Sequence, residues 1–204
     1  SAAPLSLASG IPLTLSETMA PGSASTLAQY ASRLTCTNTT TSSTTPLPNN
    51  LLTTSYNFGA LQFGDAIICI FNNAAYPHIR VIKALGAGGR RFNTDQFTVR
   101  INDGTTLVAS ATTTGTGTTV TGGNTGLIQV TPGTAYTLDE IMSGPGSLSQ
   151  YSSALACTNA TNGVTTSFPT TVPGNITPVL GDVISCTITN TRLAGNATLV
   201  VSKT

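Results

Sequence analysis

Apolar and polar residues alternate in short runs along this chain, and a two-residue period is typical of a half-buried β-strand. The clearest run, residues 97–101, leads through Asn102-Asp103-Gly104, a hairpin signal, into a return strand predicted at 106–111. Further short strands are predicted at residues 79–82, 126–130, 135–138, 155–157 and 182–189. A helical turn is expected at 24–31 and at 147–154. Short strands separated by turns are typical of an antiparallel β-sandwich, so we expect an all-β fold.

The same order of strand motifs occurs twice. Matching pairs of segments are 13–19 with 136–142, 28–38 with 149–159, 64–73 with 181–190, and 77–83 with 197–203. A fixed period across strand-like segments indicates an array of like units. The sequence therefore predicts tandem immunoglobulin-like antiparallel β-sandwich modules. We place an incomplete module without its first strands at residues 1–75, a complete module at 76–193, and at 194–204 an extra strand that starts or completes a further module.

Composition argues against several classes of partner. Only 7% of the residues are charged and the net charge is +1, so no strong field attracts nucleic acid or an anionic membrane. The basic doublet Arg90-Arg91 lies in a Gly-rich stretch and is expected in a solvated loop. No apolar run approaches the roughly 18 residues of a membrane span. The chain starts at Ser1-Ala-Ala-Pro without an initiating Met or a signal peptide, which fits a mature secreted protein or a piece of a longer one.

The four cysteines fall as one pair in each predicted module. Matching motif positions favour the disulfides Cys36–Cys69 and Cys157–Cys186, and hence an oxidising, extracellular compartment. Closing a loop of about 30 residues in this way stabilises a fold by about 3.6 kcal/mol in the chain-entropy model. The alternative is a zinc site built from all four thiolates. It lacks the closely spaced Cys-x-x-Cys pairs that such sites use.

Reactive side chains are scarce in this sequence. The single histidine, His78, is expected in a linker, and the Gly-rich stretches lack the Lys-Ser/Thr of a phosphate-binding loop. Tryptophan is absent, aromatic residues make up 5%, and no acidic cluster suggests calcium. We therefore predict no catalytic activity, no cofactor and no metal. A module that binds a ligand through its loops remains the alternative, although no local motif favours it.

Four motifs together carry a resemblance to a known family. They are Tyr-Thr-Leu-Asp-Glu at 136–140, the Cys157…Cys186 pair, Cys-Thr-Ile-Thr-Asn-Thr at 186–191, and Leu-Val-Val-Ser-Lys-Thr at 199–204. The chain resembles the prealbumin-like (SpaA-like, CnaB-type) repeats of bacterial surface adhesins and pilin stalks. The resemblance implies a transthyretin-like β-sandwich.

The same resemblance also implies an intramolecular isopeptide bond. Its residues would be Lys83 on the first strand, Asn190 on the last strand, and Glu140 as the catalyst. Burial would favour a neutral lysine as nucleophile and a neutral glutamate as proton shuttle. The alternative is that Lys83 pairs with Glu140 on a half-exposed face, or extends its amine to water.

These observations together predict a non-catalytic, extracellular structural protein of bacteria, which is the subunit of a surface filament, such as a biofilm fibre, or the stalk of an adhesin. The alternative is an adhesin module that recognises a host or cell-surface partner through its loops. The expected partners are copies of the same protein or adjacent repeats of a longer one.

The two ends of the repeat suggest how copies would join. The first module lacks counterparts of residues 78–126, while the strand at 197–203 has no module of its own. We expect this polymerisation strand to insert beside residues 65–73 of the next subunit, where Lys203 would face Glu17 and Asn73. The residues expected to make the contact are Ala197, Leu199, Val200, Val201 and Lys203. The alternative is that adjacent repeats of a longer array supply the missing strands.

Overall fold

The computed structural model describes residues 5–161 and 166–194, and the fold is nearly all β. Two compact units are present, the first ending at Tyr76 and the second beginning at Pro77. The strands of unit 1 are β1 (Pro12–Ser16), β2 (Tyr30–Asn38), β3 (Leu51–Leu52), β4 (Ser55–Ala60) and β5 (Ile67–Ala75). The strands of unit 2 are β6 (His78–Leu85), β7 (Phe97–Asp103), β8 (Thr106–Thr114), β9 (Thr121–Gly122), β10 (Ile128–Gln129), β11 (Tyr136–Met142), β12 (Tyr151–Asn159), β13 (Gly174–Ile176) and β14 (Val183–Arg192).

Unit 2 is a β-sandwich of two sheets. One sheet has the strand order β10-β6-β14-β12, and the other has the order β13-β11-β7-β8-β9. Alternate side chains of both sheets point inward and form a core of twelve buried residues, among them Ile79, Ile101, Leu138 and Ile188 at 0% exposure. This is the packing that the two-residue period predicted.

Unit 1 has fewer strands and a smaller core. Strands β1 and β4 form one antiparallel sheet, and β3, β2 and β5 form another in that order. Its buried core consists of Leu34, Cys36 and Phe58, with partly buried side chains around them. Within the described residues, β2 is the one strand that pairs with β5.

Most local predictions agree with the structure, although β3, β4 and β13 were not predicted. The hairpin at Gly104 joins β7 to β8, with a register shift between Ile101 and Asn102. The two helical turns are single 3₁₀ turns at Leu27–Gln29 and Leu148–Gln150, each closed by a capping box in which the glutamine reaches back to the N-cap backbone. The all-β sandwich class is confirmed. One fully developed sandwich is evident, so tandem modules with the boundaries given above stay a prediction.

Two features differ from expectation. Strands β6 and β14 pair in parallel, whereas purely antiparallel sheets were predicted. These are the first and last strands of unit 2, so the rest of the sandwich serves as the long crossover that a parallel pair requires. Arg90 is buried rather than solvated, because its guanidinium donates to the backbone carbonyls of Asp95 and Thr114 and ties two loops together.

His78 also differs, since it begins β6 rather than lying in a linker. Among the described residues, no helix is long and apolar enough to cross a membrane. The predicted strand at 197–203 lies outside the described residues.

Candidate functional site

The central feature of unit 2 is a buried ion pair between its two sheets. Lys83 lies on β6, where it continues the inward-facing series of Ile79 and Val81. Glu140 lies on β11 of the opposite sheet. Lys83 Nζ is 2.8 Å from Glu140 Oε2, and the two side chains are 0% and 1% exposed. The site therefore spans the sandwich core, where water does not screen the pair.

Lys83 is enclosed on all sides by the sandwich core. The Phe97 ring centroid lies 4.8 Å from Nζ, and Nζ donates to the Ile188 carbonyl at 3.3 Å, two contacts that suit an ammonium. Gly123 lies over the lysine stem, since a Cβ at this position would come within 2.9 Å of Lys83 Cβ. Burial lowers the pKa of Lys83 to about 8, although the Glu140 carboxylate acts in the opposite direction. At pH 7 about a tenth of this amine is neutral, compared with well under a thousandth at an ordinary lysine pKa.

Asn190 completes the site from β14, with 0% exposure. Ser153 on β12 lies directly across from it in the sheet register and connects it to the acid. Ser153 Oγ is 2.9 Å from Glu140 Oε1 and 2.8 Å from Asn190 Oδ1. A hydroxyl carries one hydrogen, so Ser153 Oγ donates to one of these two oxygens at a time. Within the described part of the chain, Asn190 Nδ2 has no hydrogen-bond partner.

The structure thus gathers Lys83, Glu140 and Asn190 in one buried cluster through Ser153. The Lys83–Glu140 pair considered in the sequence is present, but it is buried rather than half-exposed, and the lysine amine does not reach water. Sequence reasoning missed Ser153. The signal was available, because the second serine of the Tyr-Ser-Ser segment recurs as Ser32 in the matching Tyr-Ala-Ser segment.

The four cysteines form the two predicted pairs. Cys36 and Cys69 are directly opposite on β2 and β5, with an S–S distance of 2.10 Å. Cys157 and Cys186 are directly opposite on β12 and β14, with an S–S distance of 2.05 Å. Each disulfide therefore lies within one unit and joins neighbouring strands. Because these sulfurs are paired, the four-thiolate zinc alternative is not realised.

The sequence of this chain matches a family model described as the Prealbumin-like fold domain, over residues 1–75 and 78–192. No similar curated protein was found by sequence. Among solved structures, the major pilin protein T-13 of Streptococcus pyogenes is 10% identical, with a TM-score of 0.42, covering 91% of this chain and 98% of the pilin chain.

Two further structures show similar distant likeness. The major pilin protein T3.2 of Streptococcus pyogenes is 14% identical, with a TM-score of 0.35, over 80% of this chain and 61% of that chain. An adhesin from Mobiluncus mulieris that contains intramolecular disulfide, isopeptide and ester bond crosslinks is 14% identical, with a TM-score of 0.32, over 62% of this chain and 44% of that chain. The family match extends over most of the residues, and the sandwich of unit 2 is the fold it describes. The chain therefore belongs to the prealbumin-like fold domain family.

Proposed function

We propose that this chain is a non-catalytic, extracellular structural protein that builds a bacterial surface filament or the stalk of an adhesin. Two disulfides in a chain of low charge suit an oxidising, extracellular environment. In this proposal copies of the chain join head to tail, because each copy donates a β-strand to the next. The observation that carries the proposal is an open strand edge beside an apolar groove in unit 1.

The open edge is visible when β5 is compared with β14. In unit 2 the inward residues Ile184, Cys186 and Ile188 of β14 are 0% exposed, because β6 and β12 flank that strand on both sides. The matching inward residues of unit 1 are only half-buried, and β5 pairs with β2 alone among the described strands. An unpaired edge with apolar side chains is a template for strand addition.

The groove lies where unit 2 has its first strand. It has a volume of about 590 Å³ and extends between residues 5–7 and β5, with Leu13, Phe58 and Leu61 among its lining. In the sequence repeat, residues 5–7 match residues 128–130, which include β10. Since β10 pairs with the outer edge of β6, the groove takes the place that β6 fills in unit 2.

The proposed occupant is the segment from Ala197 to Lys203 of a second copy. It matches β6 with a constant offset, so Leu199, Val201 and Lys203 take the positions of the inward-facing residues of β6. Its backbone would extend the sheet from β5 while these side chains enter the groove. One strand restores only part of what unit 2 has, since β7, β8 and β9 have no counterpart among the described strands of unit 1. The contact is heterologous and does not close, so it builds a fibre.

Deletion of residues 195–204 tests strand donation. We expect the full chain to form fibres visible by electron microscopy and the shortened chain to stay monomeric in size-exclusion chromatography. Two single substitutions provide a matched pair: Val201→Asp places a charge in the groove and should prevent fibres, whereas Val200→Asp lies on the other face of the strand and should not. If the shortened chain forms fibres as readily as the full chain, this tail is not the donor.

We also propose that unit 2 closes its buried site with an amide bond. The neutral Lys83 amine attacks Cγ of Asn190, Glu140 moves the proton from the amine to the leaving nitrogen, and ammonia departs. The lowered pKa of Lys83 and its contact with Glu140 support this step. The bond would join β6 covalently to β14, so that tension along a filament passes through a crosslink rather than through hydrogen bonds alone.

Intact-mass measurement after full reduction tests this bond. The wild-type chain should be lighter than its sequence by one ammonia, and Glu140→Gln or Glu140→Ala should restore the full mass. Asn190→Ala provides the control, because it removes the group that is attacked. A wild-type chain of unshifted mass would exclude the bond.

A further inference from the structure

Unit 1 contains an incomplete copy of the buried site of unit 2. Glu17 follows β1 as Glu140 lies on β11, and its backbone N–H donates to the Thr54 carbonyl at 2.9 Å. Ser32 and Asn73 are directly opposite on β2 and β5. The same cross-strand pairing of serine with asparagine occurs in unit 2, and the Asn73 amide donates to Glu17 Oε1. The acid, the hydroxyl and the carboxamide are thus present in unit 1, and the lysine is missing. Asn73 is exposed, whereas Asn190 is fully buried in unit 2.

Two buried polar atoms mark the position of the missing group. Glu17 Oε2 and Ser32 Oγ are inaccessible to solvent and have no hydrogen-bond partner among the described residues, and Ser32 is 2% exposed. In unit 2 the corresponding carboxylate oxygen is the one that lies 2.8 Å from Lys83 Nζ. A buried carboxylate oxygen without a partner is costly, so the site of unit 1 is suited to a cation or another hydrogen-bond donor from outside.

The sequence offers one candidate for that donor. Lys83 and Lys203 are the two lysines of the chain, and Lys83 is already engaged in unit 2. In unit 2 the parallel register places Lys83 opposite Ile188, two residues before the asparagine. If residues 197–203 occupied the place of β6 in unit 1, the same register would put Lys203 opposite Phe71, two residues before Asn73. Its side chain would then enter the inner face beside Glu17.

We propose that Lys203 of one copy forms an amide bond with Asn73 of the next, with Glu17 as the proton carrier and Ser32 as a positioning residue. This inference rests on the strand donation proposed above. The Lys203 amine attacks Cγ of Asn73, a C–N bond to Lys203 forms, and the C–N bond to Nδ2 breaks. Glu17 takes the proton from the attacking amine and gives it to the leaving nitrogen, which departs as ammonia. The existing contact between Asn73 Nδ2 and Glu17 Oε1 places the acid at the leaving group.

Denaturing electrophoresis of assembled fibres tests the bond, with Lys203→Arg as the matched variant. Arginine keeps the charge and the length of the strand, but its guanidinium stays protonated and does not attack a carboxamide. Wild-type fibres boiled in SDS with a reducing agent should give a ladder of multimers. Lys203→Arg and Asn73→Ala should form fibres by electron microscopy that dissociate completely to monomers in the same treatment.

Mass spectrometry of the digested ladder identifies the linkage. We expect a peptide containing Asn73 joined to one containing Lys203, lighter than their sum by one ammonia. Fibres grown from a mixture of unlabelled and heavy-nitrogen-labelled subunits should yield linked pairs in which one peptide is labelled and the other is not. Wild-type fibres that dissociate to monomers, a ladder that persists in both variants, or links without mixed labels would overturn the inference and leave strand donation standing. Absence of wild-type fibres would instead overturn strand donation itself.

Discussion

At the residue scale, burial gives the Lys83–Glu140 pair its chemical character. Removing two charges from water costs several kcal/mol for each ion, and their attraction offsets this cost only in part. The pair is therefore a poor source of stability by itself. Forming an amide with Asn190 would remove the ammonium charge from the core, which gives the proposed reaction a driving force. The same burial supplies the neutral amine that the attack requires.

The lowered pKa of Lys83 predicts a pH dependence of stability. In Asn190→Ala the bond cannot form and Lys83 remains titratable, so the unfolded chain binds more protons than the native chain between pH 8 and 10.5. The free energy of unfolding of unit 2 should therefore rise with pH across this window, by at most about 3.4 kcal/mol. Chemical denaturation at several pH values measures it.

The control for that measurement is the double variant Asn190→Ala with Lys83→Met. Its pH profile of unfolding free energy contains only the titration of the other groups, so the difference between the two profiles belongs to Lys83. One of those other groups is Tyr151. Its burial and its hydrogen bond to Asp95 raise the pKa of the phenol to about 12. A flat or falling profile in the single variant, relative to the double variant, would contradict the pKa assigned to Lys83. The crosslinked wild-type chain should lack the rise, because an amide nitrogen does not titrate in this range.

At the scale of elements, β5 and β14 are matching strands of the sequence repeat that have different neighbours in their sheets. Each carries a cysteine that is paired with the residue directly opposite on its neighbour, which fixes the register of the pair. Register matters because a slip of one residue would turn every inward side chain outward. The two strands differ in what flanks them: β14 lies between two strands, while β5 has one partner among the described strands.

This difference predicts unequal effects of removing the disulfides. Each loop closure contributes about 3.6 kcal/mol in the chain-entropy model. Among the described residues, the core cluster of unit 1 has three buried side chains and that of unit 2 has twelve. Unit 1 therefore has less buried apolar area to hold its fold together when the disulfide is removed. In the monomer that lacks residues 195–204, Cys36→Ala with Cys69→Ala should abolish protection from hydrogen exchange in β2 and β5.

The matched control is Cys157→Ala with Cys186→Ala in the same monomer. Strands β12 and β14 should keep measurable protection in hydrogen-exchange mass spectrometry, because the sandwich core remains. Equal loss of protection in both double variants would show that core size does not decide how strongly each unit depends on its disulfide.

At the scale of the whole molecule, the proposed function depends on complementary surfaces in one chain. Unit 1 offers an open edge and an apolar groove, and the sequence repeats the matching strand at 197–203. A contact between two different surfaces adds subunits without forming a closed ring. The length of the filament would therefore depend on how many subunits are available and not on a fixed symmetry. Covalent bonds at Asn190 and Asn73 would then make the path of tension continuous within each copy and between copies.

The sequence by itself determined most of the strands, although not β3, β4 or β13, together with the hairpin, the two helical turns and the cysteine pairing. These features are local or depend on spacing, so a two-residue period, an Asn-Asp-Gly turn and matching motif positions were sufficient. The family resemblance also named Lys83, Glu140 and Asn190. Their burial in one cluster could be observed only in the folded chain, because they lie on three strands in two sheets.

Only the tertiary structure decided how distant segments meet. It placed Ser153 between Glu140 and Asn190, paired β6 with β14 in parallel, and buried Arg90 against loop carbonyls. It also left Glu17 Oε2 and Ser32 Oγ without hydrogen-bond partners in the described ranges, beside an open edge. Such contacts depend on packing between sheets and on which strand edges remain free, and neither is encoded in the periodicity of a single segment.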